Sequence, residues 1–304
     1  MARSSLSRGF ETVVLTRSEP DAPTRAALAA AKLVVGEAGD VSLVRSAVEG
    51  ATQVLYAAGG LMPAESERNP ALDASLTFPP LLNLLETLRA TPGTALTYIS
   101  SGGTVYGQPS YLPVDEGHPT DPVSSYGMLK LTAENFAGRY AAIHGLQVRI
   151  LRCANVYGEG QPADRGQGAV AAFMERLFRN QPIVLFGDGE VVRDYVHVAD
   201  VADAVFSLME CPPEPQIVNV GSGRGHSLNE LVSLLERVSG RRMEVERRPA
   251  RSFDVSAIVL DISRLRALAG FEPTPLETGV ERLLAAQAPG TVASLAPGAS
   301  TTRA

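Results

Sequence analysis

Short runs of apolar residues alternate along the first half of the chain with longer segments in which apolar positions return every three or four residues. A short apolar run is typical of a strand buried on both faces, and the longer period is that of a helix with one apolar face. The runs predict strands at residues 12–16, 33–35, 53–57, 95–100 and 146–151. The longer segments predict helices at residues 23–31, 41–48 and 76–89, and a further helix that continues through residue 140. Strands that alternate with helices predict an α/β fold with a doubly wound parallel sheet.

The pattern changes after residue 151. Residues 152–167 lack a clear period, which predicts a loop, and the segments that follow are shorter. These segments predict strands at residues 183–186, 191–197, 217–220 and 243–248, and helices at residues 168–179, 198–210, 227–238, 263–268 and 276–286. We expect residues 166–288 to form a smaller α/β lobe that is interleaved with a first domain of residues 1–165. Residues 289–304 are rich in small residues and are expected to form a disordered tail.

Composition argues against several classes of function. A formal net charge of −6, spread along 304 residues, argues against nucleic-acid binding and against a polybasic membrane patch. No apolar run approaches the ~18–20 residues that a membrane span needs. Cys153 and Cys211 are too few for a disulfide framework, so we expect a cytoplasmic protein. The 4 histidines lack the spacing of metal ligands, and no metal site is expected.

Tyr126 and Lys130 carry the clearest chemical signal in the chain. They lie four residues apart in a predicted helix, which places both side chains on one face, one turn apart. An ammonium near a phenol favours the phenolate, so we expect the pKa of Tyr126 to fall from about 10 toward neutrality and the phenol to act as an acid or base. The alternative is a chance pair on a solvated helix. Only Lys32 and Lys130 are lysines among 27 basic residues, which favours a titratable amine at this position.

Two polar stretches follow predicted strands. Residues 100–107 (SSGGTVYG) follow the fourth strand, and residues 153–158 (CANVYG) follow the fifth. Ligands of parallel α/β sheets bind beyond the carboxyl ends of the strands, and small hydroxyl residues and glycines let hydrogen-bond donors approach closely. Each stretch taken alone is equally compatible with a plain tight turn.

These stretches belong to a longer series of motifs. The series comprises YISSGGTVYG (98–107), VSSYGMLKLTAEN (123–135), LRCANVYGEGQ (151–161), FGDGEVVRDYVHVADVADAV (186–205), NVGSG (219–223) and RSFDVSAIVLDISRL (251–265). In its order and spacing it resembles the extended short-chain dehydrogenases/reductases, and within them the UDP-glucose 4-epimerase-like NAD-dependent sugar epimerases. The resemblance implies a Rossmann-type dinucleotide-binding domain in residues 1–165 and a nucleotide-sugar-binding lobe in residues 166–288.

The resemblance also assigns roles to single residues. Tyr126 would be the acid/base, and Lys130 would bind the nicotinamide ribose and depress the pKa of the tyrosine. Contacts with the nucleotide-sugar would come from Asn155, Arg193, Arg251 and Asp254. The planar fork of an arginine suits a diphosphate, and a carboxylate accepts hydrogen bonds from sugar hydroxyls. For Arg193 the alternative is a surface ion pair at the end of a strand.

The implied activity is that of an NAD-dependent nucleotide-sugar epimerase, with a UDP-hexose as the expected substrate and UDP-glucose/UDP-galactose 4-epimerisation as the expected reaction. Tyr126 would take a proton from a sugar hydroxyl while the carbon gives a hydride to NAD, and the hydride would return to the opposite face. A homodimer is implied, formed through helices that include the Tyr126 helix. Two alternatives stay open: an NAD(P)H-dependent 4-ketoreductase, and a nucleotide-sugar-binding relic without cofactor.

The N-terminus departs from the family pattern. Members of the family begin with a strand and a GxxGxxG turn that brings the pyrophosphate to a helix N-terminus, and this sequence shows neither. Residues 1–8 resemble the second half of the helix that follows such a turn. We therefore expect a gap of one strand between the strands at 12–16 and 53–57. Either the sequence is truncated, or the protein is divergent and binds a dinucleotide weakly or not at all.

The candidate cofactor residues also differ from the family pattern. Thr16 and Arg17 stand where many members carry an aspartate that binds the adenosine ribose. Threonine does not repel a 2′-phosphate and arginine attracts one, so NADP use is a further possibility. Asp40 is retained at the adenine side, and Ala57, at the end of the third strand, is a further candidate cofactor contact.

A third departure concerns the hydroxyl that pairs with the tyrosine. Many members have a third Ser or Thr where this chain has Gly102, so Ser101 or Thr104 would supply the hydrogen bond to the sugar oxygen. The same stretch lacks the Asp-Glu pair with which sugar 4,6-dehydratases eliminate water, which argues against dehydration.

Overall fold

The computed structural model describes residues 1–162, 168–212, 216–250 and 255–287. Its strands are β1 (Val13–Thr16), β2 (Lys32–Val35), β3 (Gln53–Tyr56), β4 (Ala95–Ser101), β5 (Val148–Cys153), β6 (Asn155–Tyr157), β7 (Ile183–Phe186), β8 (Val192–His197), β9 (Ile217–Val220), β10 (Gly225–Ser227), β11 (Val245–Arg248) and β12 (Ala257–Ile258). Its helices are α1 (Ala2–Ser7), α2 (Ala22–Ala27), α3 (Val41–Val48), α4 (Pro63–Arg68), α5 (Pro70–Arg89), α6 (Ser125–His144), α7 (Ala169–Phe178), α8 (Val198–Met209), α9 (Leu228–Ser239), α10 (Ser263–Ala269) and α11 (Leu276–Gln287).

The main sheet has the order β3–β4–β5–β9, and all of its strand pairs are parallel. Every residue of β5 is buried, as expected for a strand that is covered on both faces. Strand β9 comes from the second half of the chain and pairs with β5, so the two halves are interleaved in sequence. The predicted α/β fold with parallel strands is confirmed, whereas the domain boundaries at residues 165 and 288 stay predictions.

Strands β1 and β2 form a separate parallel pair. Among the described residues no ladder joins β1 to β3, although Leu15 of β1 and Val54 of β3 pack against the same hydrophobic cluster. The expectation that a further strand and a glycine-rich turn belong between them stays a prediction.

The predicted elements differ from the structure at several positions. Helix α5 begins at Pro70, six residues before the predicted start, because proline is well suited to the first turn of a helix and Asp73 is buried there. The short helix α4 before it was not predicted. The segment predicted as a loop after residue 151 contains β6, which pairs in parallel with β8. A strand of three residues is too short to show a period in the sequence.

The second half of the chain builds two small sheets. Strands β7 and β11 are parallel, and β10, β8 and β12 form a further sheet to which β6 is joined through β8. Helix α9 begins at a capping box, in which Ser227 accepts a hydrogen bond from the backbone of Glu230 and the Glu230 side chain accepts one from the backbone of Ser227. The apolar faces of α7, α9 and α11 share one buried cluster with β7.

None of the helices in the described ranges is both long and apolar enough to cross a membrane. The same ranges contain no group of three or more His, Cys, Asp or Glu side chains arranged to hold a metal ion. Cys153 is a buried thiol and Cys211 a half-buried one, and neither forms a disulfide.

Candidate active site

The first turn of α6 lies against the loop that follows β4. Ser124 caps the helix by accepting a hydrogen bond from the backbone N–H of Gly127 at 3.2 Å. A Cβ atom on Gly127 would stand 2.9 Å from the backbone oxygen of Thr104, which is closer than real Cβ contacts allow. Glycine therefore permits the β4 loop and the helix start to meet, and the Tyr126 turn is placed beside Thr104.

Lys130 lies one turn after Tyr126 on α6, as the four-residue spacing predicted, and it is buried. Its side chain is 9% exposed, and its Nζ donates a hydrogen bond to the backbone oxygen of Ile99 at 3.2 Å. The same Nζ lies 5.8 Å from the ring centroid of Tyr126 and 5.3 Å from that of Tyr98. Burial lowers the pKa of Lys130, and this effect is opposed by the negative charges of neighbouring groups.

The prediction that Lys130 depresses the pKa of Tyr126 is wrong for the protein by itself. Tyr126 is half-buried, and burial, followed by the charge of Asp73, raises its pKa to about 12. Removing a phenolate from water costs more than a neighbouring ammonium returns when that ammonium is bonded to a backbone oxygen. The resting side chain at neutral pH is therefore the phenol.

The two candidate hydroxyl residues lie at the carboxyl end of β4. Ser101 is the last residue of the strand and is half-buried, and Thr104 Oγ1 donates to the backbone oxygen of Ser101 at 3.4 Å. Gly102 lies between them, and a Cβ atom there would stand 2.7 Å from Leu260 Cδ1 and 2.9 Å from the backbone oxygen of Arg152. This close packing explains why a third hydroxyl residue is not accommodated at position 102.

Asn155 lies close to the same loop. It is the first residue of β6, is half-buried, and its Oδ1 would be 3.0 Å from a Cβ atom on Gly103. Ser101 Oγ would be 4.0 Å from that same position. Asn155 and Ser101, which lie at the carboxyl ends of β5 and β4, are therefore both close to Gly103.

Arg193 lies on β8, the strand that pairs with β6. Its side chain is half-buried, and its Nη1 donates to the backbone oxygen of Val192 at 2.8 Å. The following residue, Asp194, is buried and accepts hydrogen bonds from Ser222, Gly223 and Leu260. Because Asp194 is buried, it does not form a surface ion pair with Arg193. The other two predicted nucleotide-sugar residues, Arg251 and Asp254, lie outside the described residues.

The predicted cofactor residues lie at three different element ends. Arg17 follows β1, Asp40 caps α3, and Ala57 follows β3, and all three are exposed. Asp40 Oδ1 accepts from the backbone of Ser42 at 2.8 Å and from its hydroxyl at 2.6 Å, and these hydrogen bonds hold the pKa of Asp40 below its usual value. The structure shows no contact that joins these three residues to one another.

Sequence reasoning missed one group of residues beside Tyr126. A small pocket, which we call the Tyr126 pocket, is lined by Gly59, Gly60, Asp73, Thr77, Tyr126, Leu129 and Lys130. Gly59 and Gly60 follow the carboxyl end of β3, and ligands of parallel sheets bind beyond such ends. This pair of glycines after a predicted strand could therefore have been recognised in the sequence as part of a binding site. Asp73 gave no signal, because it precedes residue 76, where the helix was predicted to begin.

Comparisons with known proteins show the family of the chain. The family model described as NAD dependent epimerase/dehydratase family matches residues 1–221. A UDP-glucose 4-epimerase of Mycolicibacterium smegmatis is 32% identical over 220 residues, which cover 72% of this chain and 70% of that protein.

Two solved structures share the fold at a similar level of identity. The UDP-glucose 4-epimerase of Thermotoga maritima with UDP-glucose has a TM-score of 0.85 and 31% identity, covering 91% of this chain and 90% of that one. The UDP-glucose 4-epimerase of Thermus thermophilus in complex with NAD has a TM-score of 0.84 and 30% identity, covering 92% and 93%. The predicted Rossmann-type fold is thereby confirmed. The chain belongs to the NAD-dependent epimerase/dehydratase family.

Proposed function

We propose that this protein is an NAD-dependent nucleotide-sugar epimerase that interconverts UDP-glucose and UDP-galactose. The observation that carries the proposal is the placement of Tyr126 and Lys130 on one face of α6, beside the carboxyl ends of β4 and β5. Support comes from the likeness of the whole fold to a UDP-glucose 4-epimerase with UDP-glucose and to one with NAD.

The residues of the Tyr126 pocket fit the nicotinamide end of NAD. A Cβ atom on Gly60 would stand 1.9 Å from Asp73 Oδ1, so only glycine fits at this position of the pocket wall. Asp73 Oδ2 is a buried acceptor without a hydrogen-bond partner among the described residues. We assign Tyr126 and Lys130 to the nicotinamide ribose. The adenosine half is assigned to Arg17, Asp40 and Ala57. NAD, when bound, supplies the acceptor of the hydride that leaves and returns to the sugar carbon.

Tyr126 is assigned the proton transfer at the sugar hydroxyl. Its phenol is placed by the Ser124 cap, and Ser101 or Thr104 at the end of β4 supplies a hydroxyl to the same sugar oxygen. Lys130 stays fixed by Ile99 and presents an ammonium below the phenol. With a resting pKa of about 12 the phenol keeps its proton at neutral pH, and it becomes a base when positive charge enters the pocket and lowers that pKa.

The nucleotide-sugar is assigned to the lobe that faces these strand ends. Asn155 on β6 and Arg193 on β8 lie on paired strands, so both side chains are held by the same small sheet. A half-buried guanidinium beside a strand suits a diphosphate, whose oxygens accept several N–H donors at once. Arg251 and Asp254 are retained in this proposal for the diphosphate and the ribose.

We further propose a homodimer that forms through α5 and α6. Phe78 of α5 and Phe136 of α6 contact each other with ring centroids 6.0 Å apart, so the two helices lie side by side. Both helices expose large apolar side chains, namely Leu72, Leu76, Met128, Phe136 and Ile143. On α6 they are spaced by eight and seven residues and therefore form one stripe, which a second copy of the pair of helices would cover.

The free thiols of Cys153 and Cys211 suit the cytoplasm, which we propose as the compartment.

A 4-ketoreductase is the second candidate, because Arg17 is exposed directly after β1, where it suits the 2′-phosphate of NADPH. Incubation with UDP-glucose and NAD, without reductant, separates the two. Formation of UDP-galactose supports the epimerase. If no UDP-galactose forms, and a parallel incubation with a UDP-4-keto sugar and NADPH oxidises one NADPH for each sugar reduced, the reductase is supported. Calorimetric binding of UDP-sugar together with no binding of either dinucleotide would contradict both and leave the binding relic.

A further inference from the structure

Asp73 is a buried carboxylate in which one oxygen accepts hydrogen bonds and the other has no hydrogen-bond partner among the described residues. It lies in the first turn of α5 and is 1% exposed. Oδ1 accepts from the backbone N–H of Leu61 at 2.7 Å and from Thr77 Oγ1 at 3.2 Å. Oδ2 has no hydrogen-bond partner among the described residues. An unpaired buried polar atom costs about 1–3 kcal/mol, which calls for a functional reason.

The position of Asp73 is fixed by the loop that follows β3. Gly60 packs so closely on the carboxylate that any larger residue would displace it, since a Cβ atom would lie 1.9 Å from Oδ1 and 2.6 Å from Thr77 Oγ1. Asp73 and Thr77 line the Tyr126 pocket together with Tyr126 and Lys130. The unpaired oxygen therefore belongs to a side chain that borders the proposed site of proton transfer.

Four ionisable groups face Tyr126 from the elements packed around it. They are Asp73 of α5, Lys130 of α6, Cys153 of β5 and Tyr98 of β4. Burial raises the pKa of Cys153 to about 12 and raises that of Tyr98 further, so neither is negative at neutral pH. Asp73 is the one carboxylate among the four.

We propose that Asp73 is a positioning residue for the proton transfer, and that its carboxylate holds Tyr126 as a neutral phenol until a hydroxyl donor in the pocket bonds to Oδ2. The proposal rests on the role of Tyr126 in the proposed function. After burial, the charge of Asp73 is the next largest cause of the raised pKa of Tyr126. A donor to Oδ2 would spread the negative charge and let the phenol ionise more readily. Occupancy of the pocket and proton transfer would thereby be coupled.

The test is the titration of Tyr126 itself, without substrate. The protein is labelled with ¹³Cζ-tyrosine, and the signal that is lost in Tyr126→Phe identifies the residue among the 8 tyrosines. In the wild type we expect no ionisation of Tyr126 below about pH 11. In Asp73→Asn, which keeps the Oδ1 acceptor and removes the charge, we expect its pKa to fall by about one pH unit or more.

Thr77→Val is the matched control, because it removes a pocket hydroxyl and keeps the charge of Asp73. Because the lost hydroxyl also donates to Asp73 Oδ1, this variant should not lower the pKa of Tyr126, whereas a merely structural role of the Asp73 contacts would predict a lowered pKa in both variants. If Asp73→Asn does not fold, Asp73→Ser takes its place. The proposal is overturned if Tyr126 of the wild type ionises at or below pH 10, or if the neutral variants leave its pKa in place. Because no sugar is present, these outcomes are independent of whether the protein is an epimerase.

Discussion

Lys130 donates a hydrogen bond from its Nζ to the backbone oxygen of Ile99 at 3.2 Å, and this contact joins α6 to β4 just before the strand ends at Ser101. The ammonium is thereby fixed below Tyr126 and does not reach out to solvent. The structure shows that the two side chains are positioned by different elements, which the sequence could not show. Lys130 is held by its hydrogen bond to β4, and Tyr126 is placed by the Ser124 cap of α6.

Lys130→Met should slow turnover strongly without weakening the fold. Methionine fills nearly the same volume and removes a buried charge, so the free energy of unfolding in urea should stay within about 1 kcal/mol of the wild type. Turnover of UDP-glucose should fall by about 10²-fold or more, because the ammonium below the phenol is lost. Strong destabilisation together with retained turnover would show that Lys130 is structural only.

Tyr195→Phe should stabilise the protein. The Tyr195 hydroxyl is buried and has no hydrogen-bond partner among the described residues, so its removal should raise the free energy of unfolding at pH 7 by about 1 kcal/mol. Burial also raises the pKa of Tyr195 to about 12. A raised folded pKa gives stability that is present below the unfolded value of about 10 and is lost as pH rises from about 10 to 12. The variant should therefore lose less stability than the wild type over that interval.

Tyr106→Phe is the control for the stability part of this prediction. Tyr106 is equally buried, but its hydroxyl donates to Asn219 Oδ1 at 2.6 Å. The same substitution should therefore lower the free energy of unfolding at pH 7 by about 1–2 kcal/mol, since the amide oxygen of Asn219 is left unpaired. Equal effects of the two variants would contradict the assignment of the hydrogen bonds.

Disruption of the apolar stripe on α6 should give a monomer. Met128→Glu combined with Ile143→Glu places two charges on the exposed stripe, and the free energy of unfolding of the monomer should change by less than about 0.5 kcal/mol for each surface site. The mass in solution is measured by light scattering after gel filtration. Tyr111→Glu changes an exposed aromatic residue outside both helices and should leave the dimer intact. A wild type that is monomeric at micromolar concentration would refute the proposed interface.

The sequence predicted those parts of the fold that depend on local pattern. The short apolar runs placed β3, β4 and β5, and the spacing of Tyr126 and Lys130 placed both on one face of α6. The three residues of β6 could not be predicted, because their strand exists only through pairing with β8.

The electrostatics of the site could not be read from spacing. Four residues between a phenol and an ammonium predicted a lowered pKa for Tyr126, but the pKa depends on burial and on Asp73, which lies 53 positions earlier in the chain. Asp73 packs against the Gly60 loop, which leaves no room for a Cβ atom at that glycine. Tertiary contacts of this kind leave no periodic trace in a sequence.

The turnover of Tyr126→Phe, compared with that of the wild type, is the most direct test of the central claim. Both proteins are incubated with UDP-glucose and NAD without reductant, and UDP-galactose is measured, with Tyr111→Phe as a matched substitution at an exposed tyrosine. The account predicts UDP-galactose from the wild type and from Tyr111→Phe. For Tyr126→Phe it predicts a rate that is lower by at least about 10²-fold at unchanged stability. Formation of UDP-galactose by Tyr126→Phe at the rate of the wild type would contradict it.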